Sequence, residues 1–360
     1  MTKLRSSLLG AAAVLTLMAA PPARAAEAEL PPPVMTPEPA ASPDEPFLKK
    51  VSPEKAALYL DTIAVNWSAQ RQCGTCHTNY AYMMARPSLG LASDPAVEAR
   101  VRSFFEERVT LRSSRPALPH SLILAAMLTI NDAEHGKGLS PATRDALDRV
   151  WELQGGDGTW KYPNIFYSPP LGDSWYGSAM VVLAVGLAPD NYAATPQAKK
   201  GMEKLARFFA ENPAPTLHHK TILLWASLKT PGLMTKAEQS ATFAELSALQ
   251  HKDGGWSLRA LGTWNRRDGS PNDPNAPSDG YATGLVTYVM AKAGYTRADK
   301  RVDGGVKWLL THQRESGRWF TSSINTDDKG HLISNIGTGY AIMALRATGA
   351  LDVKTAEAAR

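Results

Sequence analysis

Two cysteines and the histidine that follows them form the cluster of the chain that is richest in chemistry. Cys73, Cys76 and His77 fit the spacing Cys-x-x-Cys-His, in which two thiols bond to the vinyl groups of a c-type haem and the histidine binds the iron. The chain has no other cysteine. The spacing therefore predicts covalent haem c here. Two alternatives stay open: a Cys73–Cys76 disulfide without cofactor, and a zinc site with a fourth ligand from elsewhere.

Other histidines and two arginines are candidates to complete such a site. His120, His218 and His219 stand near the predicted starts of apolar helices, as His77 does, so a ring of these helices would place them at one rim. They are therefore candidate metal ligands, and for each of them a helix cap or a polar contact is the alternative. Arg266 and Arg267, in the long polar loop 262–274, are candidates to bind the haem propionates.

One carboxyl group is a candidate catalytic acid. Asp279 directly precedes the apolar run that begins at Tyr281, and a carboxyl held neutral at an apolar cavity acts as a strong acid. The alternative is a helix N-cap, which is the usual role of aspartate before a helix. Tyr176 and Tyr340 stand, like Tyr281, at the beginnings of apolar helices, and the three are predicted to line the cavity.

The elements that must position these residues are helices of two kinds, amphipathic and almost entirely apolar, which alternate along the chain. Amphipathic helices face solvent, whereas apolar ones need protein on all sides. The pattern predicts an all-α fold, an α6/α6 toroid of six hairpins. Outer helices are predicted near 54–69, 95–108, 141–153, 197–210, 236–249 and 301–312. Inner helices are predicted near 78–91, 119–131, 173–187, 217–229, 279–293 and 335–348.

A short repeat supports the toroid. The spacing Gln-x-x-x-Gly-x-aromatic recurs three times, as Gln154–Gly158–Trp160, Gln250–Gly254–Trp256 and Gln313–Gly317–Trp319, and the haem motif lies in the same register with Cys76 at the tryptophan position. These copies resemble the QW motif of the squalene–hopene cyclase and protein prenyltransferase superfamily, whose fold is an α/α toroid. The resemblance covers roughly residues 54–350. We expect the motif to stabilise helix ends rather than to carry chemistry.

The activities of that superfamily are not implied by the residues present. The Asp-x-Asp-Asp acid motif of the cyclases is missing, and the nearest string, Asn325 to Asp328, lies in a polar loop. The Asp-x-Cys pair that binds zinc in prenyltransferases is missing as well. A shared fold does not transfer an activity without the site.

The N-terminus predicts export. Lys3 and Arg5 precede a largely apolar run at 8–20 and the small-x-small pattern Ala23-Arg24-Ala25, which is typical of a cleaved signal peptide. The apolar run is too short for a membrane-spanning helix. We expect a periplasmic or secreted protein. The predicted divisions are a signal peptide at 1–25, a proline-rich linker at 26–50, the toroid at 51–352 and a C-terminal tail at 353–360.

Charge and motifs together give the functional hypotheses. Beyond the signal peptide, 36 basic residues face 34 acidic ones, so nucleic acid is not an expected partner. The leading hypothesis is an exported haem c protein with a redox role, either an electron carrier with a partner protein or a haem oxidoreductase acting on an apolar ligand such as an isoprenoid. One alternative is a haem-free periplasmic enzyme like a terpene cyclase or lyase that uses Asp279. The other is a non-catalytic toroid that binds a hydrophobic small molecule and carries a Cys73–Cys76 disulfide.

Overall fold

Twelve α-helices, which alternate between an outer and an inner ring, form the described part of the chain. The computed structural model describes residues 36–71, 78–113, 118–160, 173–326 and 333–351, with side chains at all of these except 111–113 and 118–120. No β-strand occurs in these ranges. The outer helices are α1 (Pro53–Arg71), α3 (Pro95–Ser113), α5 (Pro141–Glu152), α7 (Pro196–Glu211), α9 (Lys236–Ala248) and α11 (Lys300–Thr311). The inner helices are α2 (Asn79–Ala85), α4 (Leu118–Glu134), α6 (Ser174–Leu187), α8 (Leu217–Ser227), α10 (Gly280–Lys292) and α12 (Ile333–Ala347).

Prolines and short polar side chains set the helix starts. Four of the outer helices begin at a proline, which is favourable because the first helical N–H has no partner inside the helix. Asp173, Thr216 and Asp279 cap α6, α8 and α10, each by accepting a hydrogen bond from a backbone N–H three residues on. These local signals explain why the helix starts lie close to the predicted positions.

The inner helices form a closed ring. Each contacts the next in the order α2, α4, α6, α8, α10 and α12, and α12 returns to contact α2. Every residue of α10 from Gly280 to Met290 is buried, whereas α7 buries one face, with Ala198, Gly201, Leu205 and Phe209. An inner ring enclosed by amphipathic outer helices is the predicted arrangement, and the structure confirms the all-α, α6/α6 toroid.

The QW motif ties each turn to the next outer helix. The Gln250 side chain donates from Nε2 to the carbonyl oxygens of Gly254, at 2.8 Å, and of Arg301 in α11, at 2.9 Å. Trp256 Nε1 donates to the Leu246 carbonyl at the end of α9. Gly254 has φ +90°, and a Cβ there would lie 2.6 Å from the Gly304 carbonyl oxygen. The motif therefore joins α9 to α11, and its role is structural, as expected.

The same device closes the ring between the last and the first repeat. Gln313 Nε2 donates to the Ser52 carbonyl, at 3.0 Å, and Gln313 Oε1 accepts from the Ser52 N–H, at 2.7 Å. Gly317, with φ +96°, packs directly against the Lys55 carbonyl. The turn that follows α11 thus holds the start of α1, although the two are about 260 residues apart in the chain.

The segment that precedes α1 lies on the sixth repeat. Residues 36–50, named here the N-terminal arm, contain neither helix nor strand. The Leu48 N–H donates to the Gln313 carbonyl at 2.8 Å, and the Glu315 N–H donates to the Pro46 carbonyl at 3.0 Å. The described part of the proline-rich linker is therefore bound to the toroid, which its composition did not indicate.

One inner helix is shorter than predicted. The α2 helix ends at Ala85 and a 3₁₀ turn follows at Pro87–Leu89, where the prediction extends the helix to 91. Pro87 has no N–H and its ring clashes with a continuing helix, which explains the early end. In the described part of the chain, no helix has the length and apolar character needed to cross a bilayer.

Candidate active site

A cleft of about 360 Å³ opens at the rim of the toroid, between the fifth repeat (α9 and α10) and the sixth (α11 and α12). Its walls carry two carboxyls, Asp253 and Asp279, two guanidinium groups, Arg259 and Arg314, and the ring of Trp308. The QW turns and the start of α10 bring these groups together. Of these five residues, only Asp279 is predicted from the sequence.

Asp279 is the buried acid of the cleft. Its Oδ1 accepts from the Ala282 N–H at 2.9 Å, which caps α10, and its Oδ2 accepts from the Leu258 N–H at 2.6 Å. The residue is 9% exposed. Burial raises the pKa of the Asp279 carboxyl to about 6, against the hydrogen bonds, which lower it. Asp279 is thus the helix N-cap that was the alternative to a catalytic acid. It is also a carboxyl that carries a proton at mildly acidic pH.

Asp253 is the exposed carboxyl of the cleft. Its Oδ1 accepts from the Gly255 N–H at 3.0 Å and from the Ser278 hydroxyl at 2.9 Å. Asp157 makes a similar turn contact in the third repeat, with the Thr159 N–H, so the turn alone explains an aspartate at this position. The Ser278 contact is what places Asp253 beside the start of α10. No spacing in the sequence indicates that contact.

Two arginines give the cleft positive charge. Arg259 Nη2 donates to the Ser323 carbonyl at 3.0 Å, and burial lowers the pKa of Arg314 from its ordinary value. Within the described ranges, the Nε atom of each arginine is buried and has no hydrogen-bond partner. These Nε atoms are too buried to reach a ligand in the cleft, but the positive charge of two guanidinium groups on its walls favours an anionic ligand.

Aromatic rings form one wall of the cleft. Trp308 and His312, one helical turn apart at the end of α11, stack in parallel with ring centroids 4.1 Å apart. Phe47 of the N-terminal arm meets His312 edge-on at 5.0 Å. Phe47 is 47% exposed, whereas Trp308 is 5% exposed. Phe47 is therefore the most exposed of these three rings, beside the charged groups of the cleft.

The inside of the ring is packed with aromatic side chains from four inner helices. Tyr176 stacks on His218 at 5.9 Å, and Tyr281 contacts Tyr340 at 5.0 Å. Trp264, from the long loop of the fifth repeat, contacts the His218 ring at 5.8 Å. All five residues are buried. The three tyrosines predicted to line a cavity are therefore in contact with other rings.

The adjacent histidines His218 and His219 point in different directions, with their rings perpendicular. His218 Nε2 lies 2.9 Å from the Tyr281 hydroxyl, and burial lowers the His218 pKa well below its ordinary value. His219 Nε2 lies 3.1 Å from Asp173 Oδ2. Burial favours a higher Asp173 pKa, but the hydrogen bond and charge of His219 bring it below the ordinary value.

The role of these two histidines as metal ligands stays a prediction, because the other residues of the predicted site lie outside the described side chains. Both are hydrogen-bonded to neighbouring side chains, and no group of three or more His, Cys, Asp or Glu residues that could hold a metal occurs in the described part of the chain. His120 lies in α4, but its side chain is outside the described residues. Cys73, Cys76 and His77 also lie outside them. Covalent haem c at these three residues, with zinc or a disulfide as alternatives, stays a prediction.

Arg266 and Arg267, predicted to bind propionates, lie in a small hairpin of the loop that carries Trp264. The Arg266 N–H donates to the Ser270 carbonyl at 2.8 Å, and the Arg267 N–H donates to the Asn325 carbonyl at 2.9 Å. The first bond closes the hairpin, and the second attaches the loop to the connection that follows Trp319. They do not test the predicted role of the two side chains.

Comparison with known proteins finds likeness at the level of the fold. No protein-family model matches the chain, and no curated protein matches it. A solved protein from Actinoplanes is 15% identical, with a TM-score of 0.42 over 76% of this chain and 88% of that one. A possible member of the GH105 family from Klebsiella pneumoniae is 11% identical, with a TM-score of 0.43 over 82% and 81%. A glycosidase variant is 10% identical, with a TM-score of 0.42 over 87% and 91%.

The functional hypothesis drawn from the sequence has no counterpart among these solved structures. The two solved neighbours with a named activity are a glycosidase and a possible GH105 member, not cytochromes or terpene cyclases. We do not retain the hypothesis of a haem redox protein, nor its cyclase-like and hydrophobic-ligand alternatives. The toroid part of the cyclase resemblance is confirmed, whereas membership of the cyclase family is not supported. The packed aromatic rings of four inner helices argue against a hydrophobic ligand inside the ring, because they occupy the space that such a ligand would need.

Proposed function

We propose that the protein is a glycosidase whose active site is the rim cleft, with Asp279 as its general acid. The observation that carries this proposal is a buried carboxyl, its pKa raised to about 6, in a cleft that holds a second carboxyl. Cleavage of a glycosidic bond needs a carboxylic acid that protonates the leaving oxygen and a carboxylate that supports the reaction at the anomeric carbon. Two carboxyls whose environments differ suit these two tasks.

Asp279 and Asp253 take the two tasks according to their surroundings. Asp279, buried, holds a proton at mildly acidic pH and donates it to the glycosidic oxygen. Asp253, exposed and fixed by Ser278, supplies negative charge opposite the positive charge that develops on the sugar. The Ser278 hydroxyl also lies 3.0 Å from His251 Nδ1, so Asp253 and the start of α10 share one hydrogen-bonded group.

The charge of the cleft indicates the kind of sugar. Arg259 and Arg314 place two guanidinium groups on the walls of the cleft. A carboxylate on the substrate would accept from such donors and fix its orientation. We therefore expect a preference for an acidic sugar such as a glucuronide over the matching neutral glucoside. The glycosidase name of a solved toroid agrees with the proposal, which rests on the site.

The proposal is tested with 4-nitrophenyl α- and β-D-glucopyranosides and 4-nitrophenyl β-D-glucuronide. We expect release of nitrophenol, fastest from the glucuronide, with kcat/KM falling as pH rises through about 6, because Asp279 loses its proton. Asp279→Asn should lower kcat by roughly 10²- to 10⁴-fold, the usual contribution of a general acid.

Two control variants separate chemistry from folding. Asp173→Asn alters the corresponding N-cap of α6, and Asp157→Asn alters the turn that matches Asp253 in the third repeat. Both controls should keep activity within a few-fold, whereas Asp253→Asn should lose it. An Asp279→Asn protein that melts like the wild type and hydrolyses these glycosides at an undiminished rate would refute the assignment.

We also propose that the protein acts in the periplasm. The support is the basic start, the apolar run at 8–20 and the small-x-small pattern that ends at Ala25. Fractionation of an expressing Gram-negative host should release the protein with the periplasmic contents, shortened at its N-terminus. Protein that keeps residues 1–25 and stays in the cytoplasm would contradict this.

A further inference from the structure

We infer that the N-terminal arm is part of the substrate site, and that Phe47, held there because Arg318 anchors the arm, is a stacking surface for a sugar ring. This inference rests on the proposed function, since it assigns a binding residue for the same cleft. Pro43 and Phe47 of the arm line the cleft together with Asp279 and Trp308. Without the N-terminal arm, one wall of the cleft would therefore be missing.

Arg318 is a buried cation whose partners lie mostly in the arm. It is 1% exposed, and its Nη2 donates to the carbonyl oxygens of Pro39, at 2.6 Å, and of Ala40, at 3.0 Å. Its Nε lies 3.2 Å from Glu45 Oε2. A buried arginine needs such partners, because an unpaired charge inside a protein is strongly destabilising. The arm is thus a required neighbour of Arg318 rather than a chance contact.

The anchor distinguishes the sixth repeat from the other two QW copies. Arg318 stands directly before the motif tryptophan, where the third repeat has Thr159 and the fifth has Gly255. The turn itself needs no arginine, since the glutamine and tryptophan contacts are the same in all three copies. Arg318 is therefore explained by the arm it binds, and its carbonyl and carboxylate partners hold the arm at a repeat that borders the cleft.

Phe47 is exposed, although a large apolar ring is usually buried. Its backbone pairs with Arg314 in an isolated antiparallel bridge, and the Arg314 guanidinium lies 4.0 Å from the Phe47 ring centroid. These contacts fix one face and the edge of the ring beside His312, while the residue stays 47% exposed. A fixed, half-exposed aromatic ring next to a charged cleft binds the apolar face of a sugar at low entropic cost.

The test compares Phe47→Ala and Phe47→Tyr with Leu58→Ala, which shortens another exposed apolar side chain, on the outer helix α1. With 4-nitrophenyl β-D-glucuronide, we expect Phe47→Ala to raise KM about tenfold, as loss of one aromatic contact predicts, with kcat within a few-fold. Phe47→Tyr keeps the ring and should restore KM, and Leu58→Ala should behave like the wild type. Thermal melting checks that all three variants fold.

The outcomes separate the inference from the proposed function. Hydrolysis with an unchanged KM in Phe47→Ala overturns the inference and leaves the glycosidase proposal standing. Where the wild type does not hydrolyse the compound, calorimetric titration with the same glucuronide decides. Binding that Phe47→Ala weakens and Phe47→Tyr restores supports the inference while the proposed function fails, and no binding refutes both.

Discussion

Asp279 caps α10 and is the proposed general acid, and these two roles place opposite demands on its charge. As the N-cap of α10 it accepts hydrogen bonds from backbone N–H groups, which favours the ionised form. As a buried group in the cleft it is held closer to neutrality, and the balance leaves its pKa at about 6. A carboxyl in this range is half protonated near the pH where a general acid works best. The structural role therefore does not exclude the chemical one.

The raised pKa of Asp279 predicts a specific dependence of stability on pH. The unfolded chain releases this proton near pH 3.9 and the folded protein near pH 6, so the stabilising contribution is present below about pH 4 and is lost as pH rises through about 6. Between pH 4.5 and pH 7 we expect the free energy of unfolding of the wild type to fall by about 2 kcal/mol more than that of Asp279→Asn. Urea denaturation at several pH values measures this difference.

Asp173→Asn is the matched control for that experiment. The Asp173 pKa is lowered in the folded state, so its stabilising contribution is present above the unfolded pKa and lost as pH falls. Removing the Asp173 carboxyl should not change the fall in the free energy of unfolding that the wild type shows towards pH 7. Equal pH dependence in the wild type and Asp279→Asn would show that Asp279 has an ordinary pKa.

At the scale of single residues, the sequence predicts the acid but not its surroundings. Asp279 is predictable because it directly precedes an apolar helix, a signal that lies within a few residues. Arg314 and Phe47 meet only because the arm crosses the sixth repeat, about 270 residues away along the chain. No local pattern records such a contact. The cysteine motif, in contrast, gives a strong local signal for a site that lies outside the described residues.

At the scale of elements, the turn after each outer helix determines how closely neighbouring repeats approach. Gly254 combines a left-handed backbone conformation with direct contact against Gly304 of α11. The helix positions were predictable because apolar periodicity, prolines and caps are local. The early end of α2 had a local signal too, Pro87, which the apolar pattern outweighed in the prediction.

Alanine substitutions at two glycines distinguish the cost of backbone strain from the cost of disturbing a helix contact. Gly254 has φ +90° and a Cβ there would lie 2.6 Å from a backbone oxygen, whereas Gly269 has φ +84° and open space around it. We expect Gly269→Ala to lower the free energy of unfolding by about 1 kcal/mol, from strain alone. Gly254→Ala should lower it by at least about 2 kcal/mol more, because backbone atoms must move. Urea denaturation of both variants tests this, and equal losses would mean that the contact with α11 contributes nothing.

At the scale of the whole molecule, the toroid is one closed ring because the turn after α11 binds the start of α1, as the other QW turns bind the next outer helix. Gln313 makes to Ser52 the kind of bond that Gln154 makes to Gly201 and Gln250 makes to Arg301. The repeat in the sequence predicts the turn, and in the described part of the chain the start of α1 receives the bond from the last turn. Closure also explains why the N-terminal arm reaches the cleft, since the arm directly precedes the helix held at the seam.

Closure predicts that loss of the Gln313–Ser52 bonds, which form the seam of the ring, destabilises both α1 and α11. Gln313→Leu removes hydrogen bonds to Ser52 and leaves buried backbone groups unsatisfied, so it should lower the free energy of unfolding by about 2–4 kcal/mol. Hydrogen exchange should become faster in the first turns of α1 as well as around α11, and the arm should lose protection with them. Gln154→Leu is the matched control, because it should speed exchange in α5 and α7 and leave α1 unchanged. If Gln313→Leu affected only residues 313–320, the ring would be held closed by helix packing alone, and the bond between Gln313 and Ser52 would not be what joins the N-terminal arm to the rim of the cleft.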